Sequence, residues 1–260
     1  MASNKSRPTV IIVTDADNTL WDTNAIYRKG QLELLKRIEQ DTGLKAKTSH
    51  RLRFVRLVDQ ELARLNKYNL RYPPELLVHA IAKCLSGLSA REAALRAMTK
   101  RERVKGSLTI AENSKWFKDY LESKTPKLRP GVRFGLRKVK QIGLPLLVLT
   151  EGSREKCETL LKHYNLIKYV FKIIEGRKRV SMYHQIASDL RHISTRKVMI
   201  GDQVDRDILA AKRAGYITVY FPSEFQPSWL IREYEKNISD YRISSFGEVP
   251  SIVSMLAKRM

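Results

Sequence analysis

Cysteine is almost absent from this chain of 260 residues. Cys84 and Cys157 stand far apart, and neither belongs to a CxxC pair. That excludes a disulfide scaffold and a cysteine zinc site. Both cysteines occupy apolar positions in helical patterns, the pattern of buried, reduced thiols in a cytosolic protein. The start, MASNKSRP, lacks the apolar stretch of a secretory leader, and nowhere do eighteen apolar residues run together. The expectation is a cytoplasmic protein with no membrane partner. His50, His79, His163, His184 and His192 show no metal-ligand spacing, so surface or packing roles are expected. Internal repeats and low-complexity tracts are missing too. Acidic residues are scarce: 27 Asp and Glu face 49 Lys and Arg, a net charge of +22 that favours anionic partners.

What is present is a globular composition, 43% apolar and 29% charged. A chain of this length buries roughly 70–75% of its unfolded surface, enough to fold without a disulfide or structural metal. Pro8–Thr14 (PTVIIVT) is a short run rich in β-branched residues that stops at aspartates, as a buried parallel strand does. Leu144–Leu149 ends at Thr150, Lys197–Ile200 ends at Gly201-Asp202, and Tyr216–Phe221 ends at Pro222. Tyr169–Ile174 is a weaker fifth strand. Between them lie helical patterns. In Arg154–Tyr164, the residues Cys157, Leu160, Leu161 and Tyr164 share one face, with Ser153 placed to cap it.

Alternating strands and helices predict an α/β fold, a doubly wound parallel sheet that binds ligands off its carboxyl edge. Residues 24–127 break the rhythm with amphipathic helices around Phe54, Val58, Leu62 and Leu65 and around Leu77, Ile81, Cys84 and Leu88. They read as a helical insertion that exits through the proline-punctuated Thr125–Gly131. The α/β core is then 1–23 with 128–260. Tyr241–Leu256 reads as an edge strand and closing helix, with Phe225–Ile238 as a connecting excursion.

Asp15-Ala16-Asp17-Asn18-Thr19 follows the first strand directly. Carboxylates at i and i+2 of an extended chain point the same way and repel unless a cation or shared proton relieves them. Alone, the pair reads equally well as a cap or Asx-turn cluster. It has company, however. Thr150 offers a hydroxyl before a helix N-terminus, where a phosphate fits. Lys178, between Arg177 and Arg179, offers a cation. Gly201-Asp202-Gln203-Val204-Asp205-Arg206-Asp207 adds three acids at a further strand end.

In this order the motifs resemble those of the haloacid dehalogenase (HAD) superfamily, in its phosphatase branch. The resemblance implies a Rossmann-like core and makes residues 24–127 a helical cap of the C1 type. It makes Asp15 the nucleophile of a Mg²⁺-dependent phosphate monoester hydrolase and Asp17 the general acid/base. Thr150, Glu151, Gly152 and Lys178 would surround the phosphate, and Asp15, Asp17, Asp202 and Asp207 would hold Mg²⁺. Phosphate monoester hydrolysis is among the slowest uncatalysed reactions, needing accelerations up to roughly 10²¹. A carboxylate nucleophile splits it into formation and hydrolysis of an aspartyl-phosphate. Mg²⁺ and Lys178 offset the repulsion between the two anions. Asp17 argues against a dehalogenase, because halide departure needs no proton donor.

Three positions depart from the family pattern. Glu151 stands where the family often has Asn and brings a negative charge near the phosphate. Arg179 follows Lys178 where Pro is frequent, so Arg177 and Arg179 compete for the cation role. Asp205 competes with Asp207, although counting back from Gly215 through a helix at Asp207–Ala214 favours Asp207.

Other residues have plainer readings. Trp21 is expected to pack beneath the cap, and Asp22 or Asn24 to cap the helix that follows. From Leu44 to Ser107, fifteen Lys and Arg face five Asp and Glu. That bias reads as an electrostatic funnel for a polyanion or as a solvated basic surface. Aromatics there are sparse (Phe54, Tyr68, Tyr72), so no stacking platform is evident. The expected substrate is a small phosphorylated metabolite or a nucleotide. The alternative is a nucleic-acid-end phosphatase or a nucleic-acid-binding protein that uses the basic surface.

Overall fold

The computed structural model describes residues 10–66, 72–99, 108–191, 196–225 and 238–258. His192, Tyr68 and most of the Phe225–Ile238 connection lie outside these residues. Two compact units are present, one comprising the chain through Asn24 together with Pro126 onward, the other Ala25–Thr125.

The first unit is a six-stranded, all-parallel sheet. Its strands are β1 (Val10–Thr14), β2 (Leu146–Thr150), β3 (Lys172–Glu175), β4 (Arg196–Gly201), β5 (Ile217–Tyr220) and β6 (Tyr241–Arg242). Their spatial order is β3-β2-β1-β4-β5-β6, so β1 is central and pairs with β2 and β4. Winding reverses between β1 and β4, the switch point at which such sheets bind ligands. The sequence reads β1 as an unbroken apolar run because both faces are covered. Val10 and Ile12 face one core with Leu136, Val139 and Leu161, whereas Ile11 and Val13 face another with Tyr183, Ile186 and Ala211. All four are fully buried, each stabilising the fold by roughly 1.5–3 kcal/mol.

The weak fifth strand overlaps its expected range, Tyr169–Ile174, but starts later. Ile167–Tyr169 forms a 3-10 turn and β3 starts at Lys172. The helix expected at Asp207–Ala214 begins earlier, as a π-helical turn over Val204–Leu209 that continues into Ala210–Arg213. Helix Arg154–His163 starts on Ser153, whose hydroxyl accepts the Lys156 N–H at 3.3 Å, and it buries Cys157, Leu160 and Leu161.

The second unit consists of helices with their own core. Helix Arg51–Leu65 buries Val55, Val58 and Leu62, while Phe54 and Leu65 stay at the rim. Val58 and Leu62 carry the stripe as expected, while Val55 is buried in place of Phe54. In the next helix, Pro74–Leu85, Leu77 and Ile81 are buried but Cys84 is only half-buried, and Leu88 lies beyond the helix end. Glu39 closes the loop between Thr42 and Arg51. Its carboxylate accepts both Arg51 guanidinium nitrogens, at 3.0 and 2.6 Å, and the Ala46 N–H at 2.9 Å.

Candidate active site

Every element of the candidate site leaves the carboxyl edge of the sheet. The Asp15 N–H still donates to Ile200 O at 2.8 Å, extending the β1–β4 ladder by one residue. Beyond it the chain turns sharply. The Leu20 N–H returns to Ala16 O at 2.8 Å, and Asn18 N–H donates to Trp21 O at 2.7 Å. Asn18 sits at φ 61°, a left-handed conformation that asparagine tolerates better than most residues. Its side-chain oxygen accepts the Thr23 hydroxyl and the Asn24 N–H, each at 2.8 Å, so Asn18 caps the following helix. Sequence reasoning placed that role on Asp22 or Asn24.

Asp15 is buried. Its Oδ2 accepts the Thr19 hydroxyl at 2.8 Å, and its Oδ1 accepts from Lys178 Nζ. The same ammonium donates to Asp207 Oδ1 at 2.7 Å. Lys178 is 6% exposed, whereas Arg177 and Arg179 are exposed. Of the three competing cations, Lys178 is thus the one that reaches the acids.

Asp207 is fully buried and turns back on its own loop, accepting the Asp202 N–H at 3.1 Å and the Gln203 N–H at 2.9 Å. Asp205 is half exposed, with its carboxylate 3.9 Å from Arg206 Nε. Between the two acids, Asp207 joins the cluster. Gly201 makes room for it, because a Cβ there would meet the Asp207 carboxyl carbon at 2.3 Å. Asp202, 1% exposed, accepts the Ser223 hydroxyl at 2.6 Å.

Thr150 ends β2, and its buried hydroxyl oxygen accepts the Gly152 N–H at 3.0 Å. The Glu151 carboxylate points into a network of its own. One oxygen accepts the Lys178 backbone N–H at 2.8 Å, and the other accepts Arg206 Nη1 at 2.6 Å. Asp17 is half-buried and accepts the Trp21 indole N–H at 2.9 Å. Trp21 is packed in the core of the sheet unit, and its hydrogen bond has no signature in the sequence. The same holds for Thr19, Arg206 and Ser223. Arg129, which no motif marks, stacks on the Phe221 ring and donates to the carbonyls of Asn18, Phe221 and Pro222, joining the turn after β1 to the end of β5.

The electrostatics follow from burial. Desolvation pushes the Asp15 carboxyl up to about 7; Lys178 pulls it down, and the Asp207 charge adds to the rise. Desolvation, with the charges of Asp15 and Asp207, holds Asp202 well above the usual carboxylate range. Burial works to lower Lys178, but the two carboxylates beside it outweigh that and keep it protonated.

Carboxylate oxygens of Asp15, Asp202 and Asp207 lie within 4.8 Å of one another. Three carboxylates against one ammonium leave an excess of two negative charges when all are ionised, which a divalent cation would relieve. The all-oxygen donor set suits a hard ion such as Mg²⁺. The residues fit the metal.

The family model for haloacid dehalogenase-like hydrolases matches residues 10–215. The phosphoglycolate phosphatase of Neisseria meningitidis is 29% identical over 142 residues, which cover 52% of this chain and 59% of that protein. Its Neisseria gonorrhoeae counterpart is 27% identical over the same coverage. The chain therefore spans less than two thirds of the length of these curated relatives. Among solved structures, a haloacid dehalogenase-like hydrolase from Xanthomonas campestris superposes with a TM-score of 0.61 at 16% identity, covering 98% of this chain and 100% of that one. The HAD-hydrolase YfnB from Bacillus subtilis, solved with magnesium bound, gives 0.60 at 16% identity, covering 96% and 100%.

Proposed function

The chain belongs to the haloacid dehalogenase-like hydrolase family, and on that premise we propose that it hydrolyses phosphate monoesters through an aspartyl-phosphate on Asp15, with Mg²⁺. The observation that carries this reading is the seat of Lys178. Its ammonium lies between Asp15 and Asp207 inside a buried cluster of acids, where an anionic nucleophile and an anionic phosphate need a cation between them.

In the forward half-reaction Asp15 attacks phosphorus and the ester oxygen leaves. Asp17, two residues on, gives that oxygen its proton, so an alcohol departs rather than an alkoxide. The deprotonated Asp17 then takes a proton from water as the water attacks phosphorus. The Asp15–phosphate bond breaks, and the carboxylate is restored. Thr150 accepts from Gly152 N–H, which leaves its hydroxyl hydrogen for a phosphoryl oxygen. The Asp15 and Asp202 side chains and the Asp17 backbone carbonyl would hold Mg²⁺, with Asp207 in support; the ion would supply neutralisation of the charge that gathers on the transferring group.

The proposed substrate is a small phosphorylated metabolite. The names of the Neisseria relatives make 2-phosphoglycolate the first compound to assay. A panel of phosphate monoesters including an aryl phosphate and 2-phosphoglycolate tests the reading. Turnover should require Mg²⁺, cease with a chelator and vanish in Asp15→Asn. Wild-type inactivity across the panel would refute it.

A further inference from the structure

One surface of the sheet unit has a composition that phosphate ester hydrolysis does not use. Between Thr125 and Thr150 the chain contains no acidic residue, yet it carries Lys127, Arg129, Arg133, Arg137, Lys138 and Lys140. Helix Val132–Ile142 occupies the middle of this stretch. It buries Val132, Leu136 and Val139 against the sheet. Arg133, Arg137 and Lys140, at i, i+4 and i+7, form one exposed row along it. The row is roughly 10 Å long at about 1.5 Å per residue.

Two of the six large exposed apolar side chains found among the described residues border this helix, Phe134 (46% exposed) and Phe171 (63%). Each end of the row opens into a shallow cleft. One, of about 330 Å³, is lined by Arg133, Phe134 and Arg137 among others. The second, of about 310 Å³, lies at the opposite end of the helix and joins Lys140 to Tyr169 and Phe171. The first cleft thus pairs three arginines, and the second Lys140, with an exposed aromatic ring.

We propose that this helix and its flank form a docking surface for single-stranded nucleic acid. The cation row would follow the phosphates, and Phe134 and Phe171 would each take a base on the ring face. Charge complementarity selects a polyanion. The separation of the aromatics into two clefts, one edged by arginines and the other by Lys140, favours a chain of alternating phosphates and bases over an anionic membrane, which needs one continuous apolar face, and over an acidic peptide, which needs no stacking.

The test is fluorescence anisotropy of a short labelled oligothymidylate with the full chain, titrated over salt from roughly 50 mM upward. Wild type should bind at the low end. Arg133→Gln/Arg137→Gln/Lys140→Gln should bind at least tenfold more weakly, with a salt slope smaller by about two, since each phosphate contact on a single strand contributes about 0.7. Phe134→Ala/Phe171→Ala should lose about thirtyfold or more in affinity with an unchanged slope. Arg133 also donates to Tyr164 O at 2.9 Å, so Arg137→Gln/Lys140→Gln serves if the triple variant melts early. The comparison variant Arg53→Gln/Arg91→Gln/Arg96→Gln removes equal charge from exposed helical positions elsewhere and should keep the affinity. No binding at low salt, equal loss in the comparison variant, or preference for anionic vesicles or an acidic peptide would overturn the proposal.

Discussion

The indole N–H of Trp21 donates to Oδ1 of Asp17 at 2.9 Å. Asp15 and Asp17 are separated by one residue, and their side chains have different partners: Asp15 the Thr19 hydroxyl and the Lys178 ammonium, Asp17 the buried indole. Two acids that share a motif thus sit in different electrostatic surroundings, the condition for one to serve as nucleophile and the other as proton carrier.

Trp21→Phe keeps most of the buried ring and removes that donor. A neutral hydrogen bond contributes about 0.5–1.5 kcal/mol, and one to a charged group somewhat more. We expect kcat to fall roughly threefold to tenfold with KM little changed, because Asp17 loses the donor that fixes its carboxylate. Steady-state kinetics, with thermal unfolding to check the fold, will decide this. An unchanged kcat would detach Trp21 from the chemistry.

Gly201 carries a second prediction. A methyl group there collides with the Asp207 carboxyl at 2.3–2.4 Å, and Asp207 has no room to retreat because it is fully buried. Gly201→Ala should displace Asp207 and cost on the order of 10²-fold in activity, the scale of a 1 Å misplacement. The loss should be accompanied by a raised Mg²⁺ requirement. Activity within a few-fold of wild type at ordinary Mg²⁺ would show that the position of Asp207 is immaterial.

Glu151 links the Lys178 backbone to Arg206, the neighbour of Asp207. Glu151→Gln retains an acceptor for the Lys178 N–H but weakens the pairing with Arg206; Glu151→Ala loses both. The expected order of activity is wild type, then Gln, then Ala, with the larger effect on KM because the phosphate-facing lysine is loosened. If both variants match wild type, the network has no part in positioning Lys178.

The helical unit offers a pH test away from the site. Hydrogen bonds from Arg51 hold the Glu39 carboxyl below its ordinary value of 4.5; burial opposes them, and the Ala46 N–H helps them. A group depressed in the folded state contributes stability that is present above its unfolded pKa and lost as pH falls through its folded one. Stability of this unit should therefore drop below about pH 4.5. Glu39→Gln should lower the melting temperature at neutral pH and flatten that acid limb. A limb identical in variant and wild type would assign it to other carboxylates.

The sequence made much of this arrangement legible, because the signals were local. Runs such as VIIVT and LLVLT, each ending in a polar residue, announced parallel strands and also the edge that gathers Asp15 and Thr150. What escaped was either a matter of phase or of distance. Phe54-Val58-Leu62-Leu65 and Val55-Val58-Leu62 fit the helical period equally well, and packing alone selects the second. The Glu151–Arg206 pair joins residues 55 positions apart, and the Asp15–Lys178 pair residues 163 apart. Only the strand order brings such residues together. The left-handed turn at Asn18, which aims the Trp21 indole at Asp17, has no signature beyond the asparagine itself.

The covalent step is the centre of the mechanism, and one measurement addresses it directly. Acid-quenched single turnover of wild type with an aryl phosphate and Mg²⁺, followed by mass spectrometry of the digested chain, should reveal a transient phosphate on the peptide that contains Asp15, labile to base. In Asp15→Asn the adduct and the turnover should both disappear. Hydrolysis by Asp15→Asn at the wild-type rate, or an adduct on any other residue, would contradict the assignment of Asp15 as nucleophile.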